Sequence, residues 1–232
     1  MKPIGFSTGA LAKGDFIAGL DMQRGVHGVR AVELSALRDH ELSTLLDAVP
    51  SLDLDTFDYV SFHAPSRLHT LDERDAFALL QRLPATWPII AHPELLQTPK
   101  LWRGLGERLC IENMDDRKST GRTPDELLAL FERFPAATFC FDVGHARQVD
   151  ASMESAVRML RELRGRLREL HVSEVGAKGE HLPLSHATRE AFAQLTHLIP
   201  ADCPVIIESV IAPGDLANEL AAVRAVFDAQ PV

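Results

Sequence analysis

Short apolar runs that end in an ionisable or hydroxyl side chain recur along the whole chain. Eight of them, at residues 3–7, 30–34, 58–63, 88–92, 108–112, 138–142, 169–173 and 204–208, have the length of buried strands. Most are followed by a turn and then a helical pattern. Thr123-Pro124-Asp125-Glu126 offers a Thr cap, a first-turn proline and a glutamate at the capping-box position. Leu127, Leu128, Leu130, Phe131 and Phe134 then supply the apolar stripe. Asp72 to Leu83 repeats the idea with Phe77, Leu79 and Leu80. Ser152 opens a helix through Val157, Leu160 and Leu163, and its outer face of Arg158, Arg161, Glu162 and Arg164 reads as solvated surface. Gly214 to Ala229 forms the closing helix, whereas residues 99–106 are too short and glycine-broken for one.

Strands alternating with helices imply parallel pairing and an α/β fold. The strand tips fall at Ser7, Glu33, His63, His92, Glu112, Asp142, His171 and Glu208. Most gaps between tips are 26 to 30 residues, one strand and one helix each; the gap before Glu112 is 20, and that before Glu208 is 37, with an extra loop at residues 174–186. Eight such units predict a single (β/α)8 TIM barrel over residues 1–232, with its site where the C-terminal strand ends meet. The rival, a doubly wound sheet, lacks the Gly-x-Gly-x-x-Gly turn it should carry after a strand. Counting back two from each tip gives the residue on the same face: Gly5, Ala31, Ser61, Ile90, Cys110, Cys140, Glu169 and Ile206. Most are small or apolar, as the interior beneath a site should be. Glu169 is the exception and is expected to pair with an arginine at the closed end.

The chemistry centres on Arg108-Leu109-Cys110-Ile111-Glu112-Asn113-Met114, a buried strand ending in a carboxylate. Such a group is costly unless something positive holds it. Four carboxylates (Glu33, Glu112, Asp142, Glu208) and three histidines (His63, His92, His171) share equivalent tip positions, which predicts a metal centre. His145, three residues past Asp142, and His181, in the extra loop, extend the set. His27, His40, His69, His186 and His197 have no such context and read as surface or helix residues.

Composition narrows the partners. A formal net charge of −9 argues against a general polyanion binder such as a DNA-gripping protein, but leaves room for a small phosphorylated substrate. Three cysteines cannot build a disulfide framework, and Cys110 and Cys140 read as reduced core residues. The opening residues lack a signal-peptide layout and no run of apolar residues is long enough to cross a membrane. These features predict a cytoplasmic protein without a nucleotide cofactor.

The order His63-Ala-Pro, His92-Pro, Glu112-Asn, Asp142-Val-Gly-His145, His171-Val-Ser and Glu208-Ser resembles the xylose isomerase-like barrel superfamily, over nearly the whole chain. That group includes sugar isomerases and epimerases and apurinic endonucleases of the endonuclease IV type. The resemblance implies that Glu112, Asp142, His171 and Glu208 hold one divalent metal, with Glu112 and Glu208 also moving protons on either side of the substrate carbon. It implies that His63, His92, His145 and His181 match additional zinc ligands of the endonucleases. Those enzymes carry an Asp two residues before the last histidine; here Gly179 stands in its place, with Glu180 next door.

Three functions follow. The first is metal-dependent isomerisation or epimerisation of a small sugar, sugar phosphate or sugar acid, with Zn, Mn, Mg or Co as the ion. Glu33, Lys178 and Arg117 are its candidate substrate-binding residues. The second is hydrolysis of a small phosphoester by two or three zinc ions, favoured by the extra histidines. The third is a metal-sequestering barrel without catalysis. The ordered set of ligands favours the first. Barrels of this type often pair, so a homodimer is compatible with the chain.

Overall fold

The structure, a computed structural model, describes residues 2–228. Its strands are β1 (Ile4–Ser7), β2 (Ala31–Ser35), β3 (Tyr59–His63), β4 (Ile89–Ala91), β5 (Leu109–Glu112), β6 (Thr138–Asp142), β7 (Leu167–Val172), β8 (Glu174–Val175), β9 (His181–Leu182) and β10 (Val205–Ile207). Eight of them close into a parallel barrel, in the order β1-β2-β3-β4-β5-β6-β7-β10 and back to β1. The fold is a single (β/α)8 TIM barrel. Every expected strand is present, with ends that differ by no more than two residues. The extra loop is partly ordered: β8 and β9 pair as an antiparallel ribbon over the mouth of the barrel.

The outer layer follows from the apolar stripes. Helix Pro124–Arg133 starts as expected, with the Thr123 hydroxyl accepting from the Glu126 amide at 3.3 Å. Glu126 departs from the expected box, since its carboxylate takes the Arg122 amide at 2.8 Å. Leu127, Leu130 and Phe131 of this helix, with Phe134, are buried in the main core between barrel and helices. Phe139 and Phe141 reach that core from β6, and truncating either to Ala should cost about 3–5 kcal/mol. Helix Glu154–Glu162 begins two residues later than expected, because Met153 takes a left-handed turn and the Asp150 carboxylate caps the start. Its Arg158 pairs with Asp125 and Glu162 in solvent, as its polar face predicted. Residues 99–106 do turn helically: an α turn, Pro99–Trp102, anchored by the buried Trp102, runs into a 3-10 segment, Arg103–Arg108, that kinks at Gly106. The closing helix runs over Leu216–Asp228; its expected end at Ala229 lies outside the described residues.

The inner layer is what positions the site. Ladder partners place Ser35, His63, Ile90 and Cys110 side by side, then Glu112, Cys140 and Glu169, then Asp142, His171, Ile206 and Gly5. These positions share one face of each strand, and that face is the barrel interior. Ile90, Cys110 and Cys140 form an apolar plug of their own, apart from the main core. They fill the barrel under the ionisable residues, so the centre sits on a packed floor. Among the described residues the three cysteines are free thiols, all buried.

Candidate metal centre

Glu112 ends β5 with 1% of its surface exposed, and four histidine rings converge on it. His63 Nε2 and His92 Nε2 lie 3.3 and 3.2 Å from its Oε2; His145 Nδ1 and His171 Nδ1 lie 3.4 and 3.2 Å from its Oε1. Two ligand groups therefore share Glu112. One is His63, His92 and Glu112; the other is Glu112, Asp142, His171 and Glu208; in each, the ligand atoms lie within 4.8 Å of one another. All eight residues expected to ligate metal surround this one place.

Local structure decides which atom each side chain offers. His63 Nδ1 donates to the Ala64 carbonyl at 2.7 Å, which leaves Nε2 facing Glu112. His171 Nε2 donates to Glu169 at 2.9 Å, which leaves Nδ1 facing Glu112 and Glu208. His145 Nδ1 donates to the Asn113 carbonyl at 2.9 Å, so its Nε2 is turned to Asp115, 3.8 Å away. Asp142 caps the helix Val143–Val149, its Oδ1 accepting from the His145 amide at 2.7 Å. The other oxygen, Oδ2, is buried without a hydrogen-bond partner. Gly144 lets that helix lie close, since a Cβ there would sit 2.6 Å from the Ser173 carbonyl oxygen. His181, on β9, has Nδ1 2.9 Å from the Ser173 hydroxyl and 3.5 Å from Glu208.

The buried carboxylates and histidines shift one another's titration strongly. Burial opposes charge on His63, yet Glu33, Glu112 and Glu208 lift its pKa to about 9. Burial likewise opposes charge on His145, and Asp142 with Glu112 raises it to about 10. Burial lowers His92 to about 4, with Glu112 only partly offsetting it. Burial raises Asp142 to about 6. Glu112 and Glu208 are held below the ordinary range because, against their burial, His171 stands beside both. Protonated histidines thus do for the carboxylates what a bound cation would do. Mixed imidazole and carboxylate donors, an orphaned Asp142 oxygen and two converging groups fit a divalent metal.

Three expectations need correction. Glu33 is not at the tip of β2; the strand continues to Ser35, which pairs with His63. Glu33 lies one layer lower, with no surface exposed, its Oε2 3.1 Å from His171 Nε2 but out of line for a hydrogen bond. Buried beneath His171, it has no access to the open side of the centre. Glu169 does not meet an arginine; it accepts from His171 and so orients that ring from behind. Lys178 is exposed and contributes its backbone carbonyl, which accepts from Arg117 Nη1 at 2.8 Å.

Above the centre lies a cavity of about 210 Å³, with Glu112, Glu208, His63 and His92 on its floor and Arg117 on its wall. Three further residues matter that sequence reasoning missed. Asp115, 1% exposed, is bound by Arg117 at 2.5 Å and faces His145. Lys118 lines the cavity beside His92 and Glu94, at 3.5 and 3.4 Å. Asn113 donates to the Asp142 carbonyl and accepts from the Asp142 amide, both at 2.8 Å. All three follow β5, and the charge run Asp115-Asp116-Arg117-Lys118 was the available signal for Asp115 and Lys118.

No protein-family model matches the chain, and no curated protein matches it. Solved structures do. A candidate sugar phosphate isomerase/epimerase from Anabaena variabilis superposes with a TM-score of 0.61 at 14% identity, covering 95% of this chain and 88% of that one. SacUVDE gives 0.55 at 15% identity, covering 97% of both chains. A xylose isomerase-like TIM barrel protein from Mycobacterium smegmatis, in complex with magnesium, gives 0.55 at 14% identity, covering 98% and 96%. Together with the closed parallel barrel, these likenesses show that the chain shares the TIM barrel fold of these proteins.

Proposed function

We propose that this chain is a divalent-metal-dependent isomerase or epimerase of a small sugar, sugar phosphate or sugar acid. The observation that carries this reading is the convergence of ligand atoms of Glu112, Asp142, His171 and Glu208 within 4.8 Å, with Glu112 and Glu208 lining the cavity and Asp142 and His171 buried behind them. Asp142 and His171 have one oriented donor atom each, fixed by the helix cap and by Glu169. The cavity, at about 210 Å³, is below the roughly 300–1,000 Å³ of drug-sized pockets and suits a small polyol. A divalent ion there would supply Lewis-acid polarisation of a carbonyl and its neighbouring hydroxyl.

The chain's own residues do the rest. Glu112 and Glu208 line the cavity, and both reach His171 Nδ1, at 3.2 and 3.5 Å. One carboxylate removes the proton from the carbon next to the carbonyl, and the other returns a proton on the far side of that carbon or at its neighbour. Both are held below the ordinary carboxylate range, so either can serve as the base, and the one that returns a proton first takes it up from the substrate or from solvent in the cavity. The Ile90, Cys110 and Cys140 plug keeps water from the barrel side. The structure neighbour described as a sugar phosphate isomerase/epimerase supports this class, and the neighbour bound to magnesium supports the metal.

The His63, His92 and Glu112 group favours a second reading, a zinc phosphoesterase with two or three ions. Metal analysis separates the two. An isomerase binds one ion per chain, with Mn, Mg or Co supporting turnover, and exchanges a substrate C–H proton with deuterated water. Two or three zinc ions per chain, with phosphoester cleavage and no exchange into any sugar, would overturn the proposal.

A further inference from the structure

Of the chain's 24 lysines and arginines, two among the described residues line the cavity above the metal centre: Arg117 and Lys118. They are adjacent in sequence, on the loop after β5, in a protein of net charge −9. Arg117 is not a loose surface side chain. Its Nε and Nη2 donate to the two oxygens of buried Asp115 at 3.1 and 2.5 Å, and its Nη1 donates to the Lys178 carbonyl at 2.8 Å. A guanidinium has five N–H donors, so two remain, on a side chain still 45% exposed.

Gly179 makes this seat possible. It has a φ of +76°, and a Cβ placed there would run into the Arg117 guanidinium carbon. Glycine is thus required twice, for the backbone and for the arginine packed on it. Lys118 is 12% exposed, and among the described residues its ammonium meets only Glu94 and His92, at 3.4 and 3.5 Å, near the limit of a hydrogen bond. The cavity wall therefore presents one pre-oriented guanidinium with spare donors and one weakly engaged ammonium. The hydroxyls of Ser35 and Ser66 line the same cavity.

We propose that Arg117, seated on Gly179, and Lys118 form an oxyanion receptor, so that the substrate carries a phosphate or carboxylate away from its reacting carbon. This rests on the isomerase reading for its substrate, but not for its binding test. Pre-orientation lowers the cost of ordering the arginine when the anion arrives. Paired N–H donors and an ammonium are the groups that grip such anions.

The test titrates inorganic phosphate calorimetrically into the manganese-loaded full chain, as wild type, Lys118→Met, Lys118→Arg and Gly179→Ala. Manganese is common to all four, so differences report the receptor. Lys118→Met should weaken phosphate about tenfold, and Lys118→Arg should restore it to within about threefold. Gly179→Ala keeps both charges but displaces Arg117, and should weaken phosphate about fivefold at unchanged manganese content. Acetate run in parallel separates carboxylate from phosphate recognition. Equal phosphate binding by wild type and Lys118→Met would overturn the receptor, even if Gly179→Ala fails to fold. If that happens while a neutral sugar still exchanges its proton, the isomerase reading stands alone. Intact phosphate discrimination with no exchange in any sugar would leave the receptor and remove the isomerase.

Discussion

The two halves of the barrel do not contribute equally. The second half, β5 to β10, supplies Glu112, Asp142, His171 and Glu208, together with His145, His181, Arg117 and Lys118. The first half supplies His63 and His92 to the centre and the neutral Ser35, Leu37 and Ser66 to the cavity wall. The second half thus holds the whole proposed four-ligand set, whereas the first half offers two histidines that meet Glu112 from the neighbouring strand β4 and from β3 beyond it. Glu112 joins the halves, and His63 also groups with His171 and Glu208. The chemistry turns on whether that junction serves one ion or more.

The harshest test removes the junction. Glu112→Ala should bring bound metal below about a tenth of wild type and abolish activity, read by elemental analysis of dialysed protein. Metal content left intact would break the assignment of this centre. Glu169→Gln comes next, because it leaves every proposed ligand in place and weakens only the partner behind His171. Its metal affinity should fall about 10–100-fold, measured by competition with a chelator. His63→Ala sharpens the contrast between halves: a one-ion isomerase should keep its ion and most of its activity, whereas a multinuclear hydrolase should lose both.

The smallest effect concerns how the first half holds its mouth. Asp39 Oδ2 accepts from the amides of His69, Thr70 and Leu71 at 2.5, 2.5 and 3.0 Å, pinning the loop after β3. Burial raises the pKa of Asp39, but these amides outweigh it and hold the carboxyl well below the ordinary range. Its folded pKa is below the unfolded one, so its stabilisation is full above about pH 5 and declines as pH falls below about 4. Asp39→Asn should cost about 1–3 kcal/mol at pH 7 by urea denaturation, with the gap from wild type narrowing in acid. A gap that is constant with pH would show that the amides do not favour the charged form.

Sequence reasoning reached the barrel because eight short apolar runs recur at a strand-plus-helix spacing, and the period of two along a strand then gave each inward face. The same periodicity explains its error at Glu33. Glu33 and Ser35 share a face, so alternation alone could not say which one ends β2. The pairing of Ser35 with His63 decides it. Glu169 was placed on the right face but given the wrong partner, because His171, two residues on, rises from the same strand face directly above it. Lys178 and Lys118 show the opposite limit. Both sit in loops, where no periodicity constrains direction, and only the three-dimensional path sends Lys118 to the cavity and leaves Lys178 outside.

Asn113 has a wider consequence. Its side-chain amide copies the pairing of a backbone ladder, with one bond given to Asp142 and one received, just where β5 stops. The spacing between the Glu112 and Asp142 strands is thereby set by the polypeptide and not by whatever sits between them. A chain stripped by chelation should keep its far-ultraviolet spectrum and melt as one unit, its midpoint rising with added ion only by mass action. The socket is assembled by the polypeptide alone.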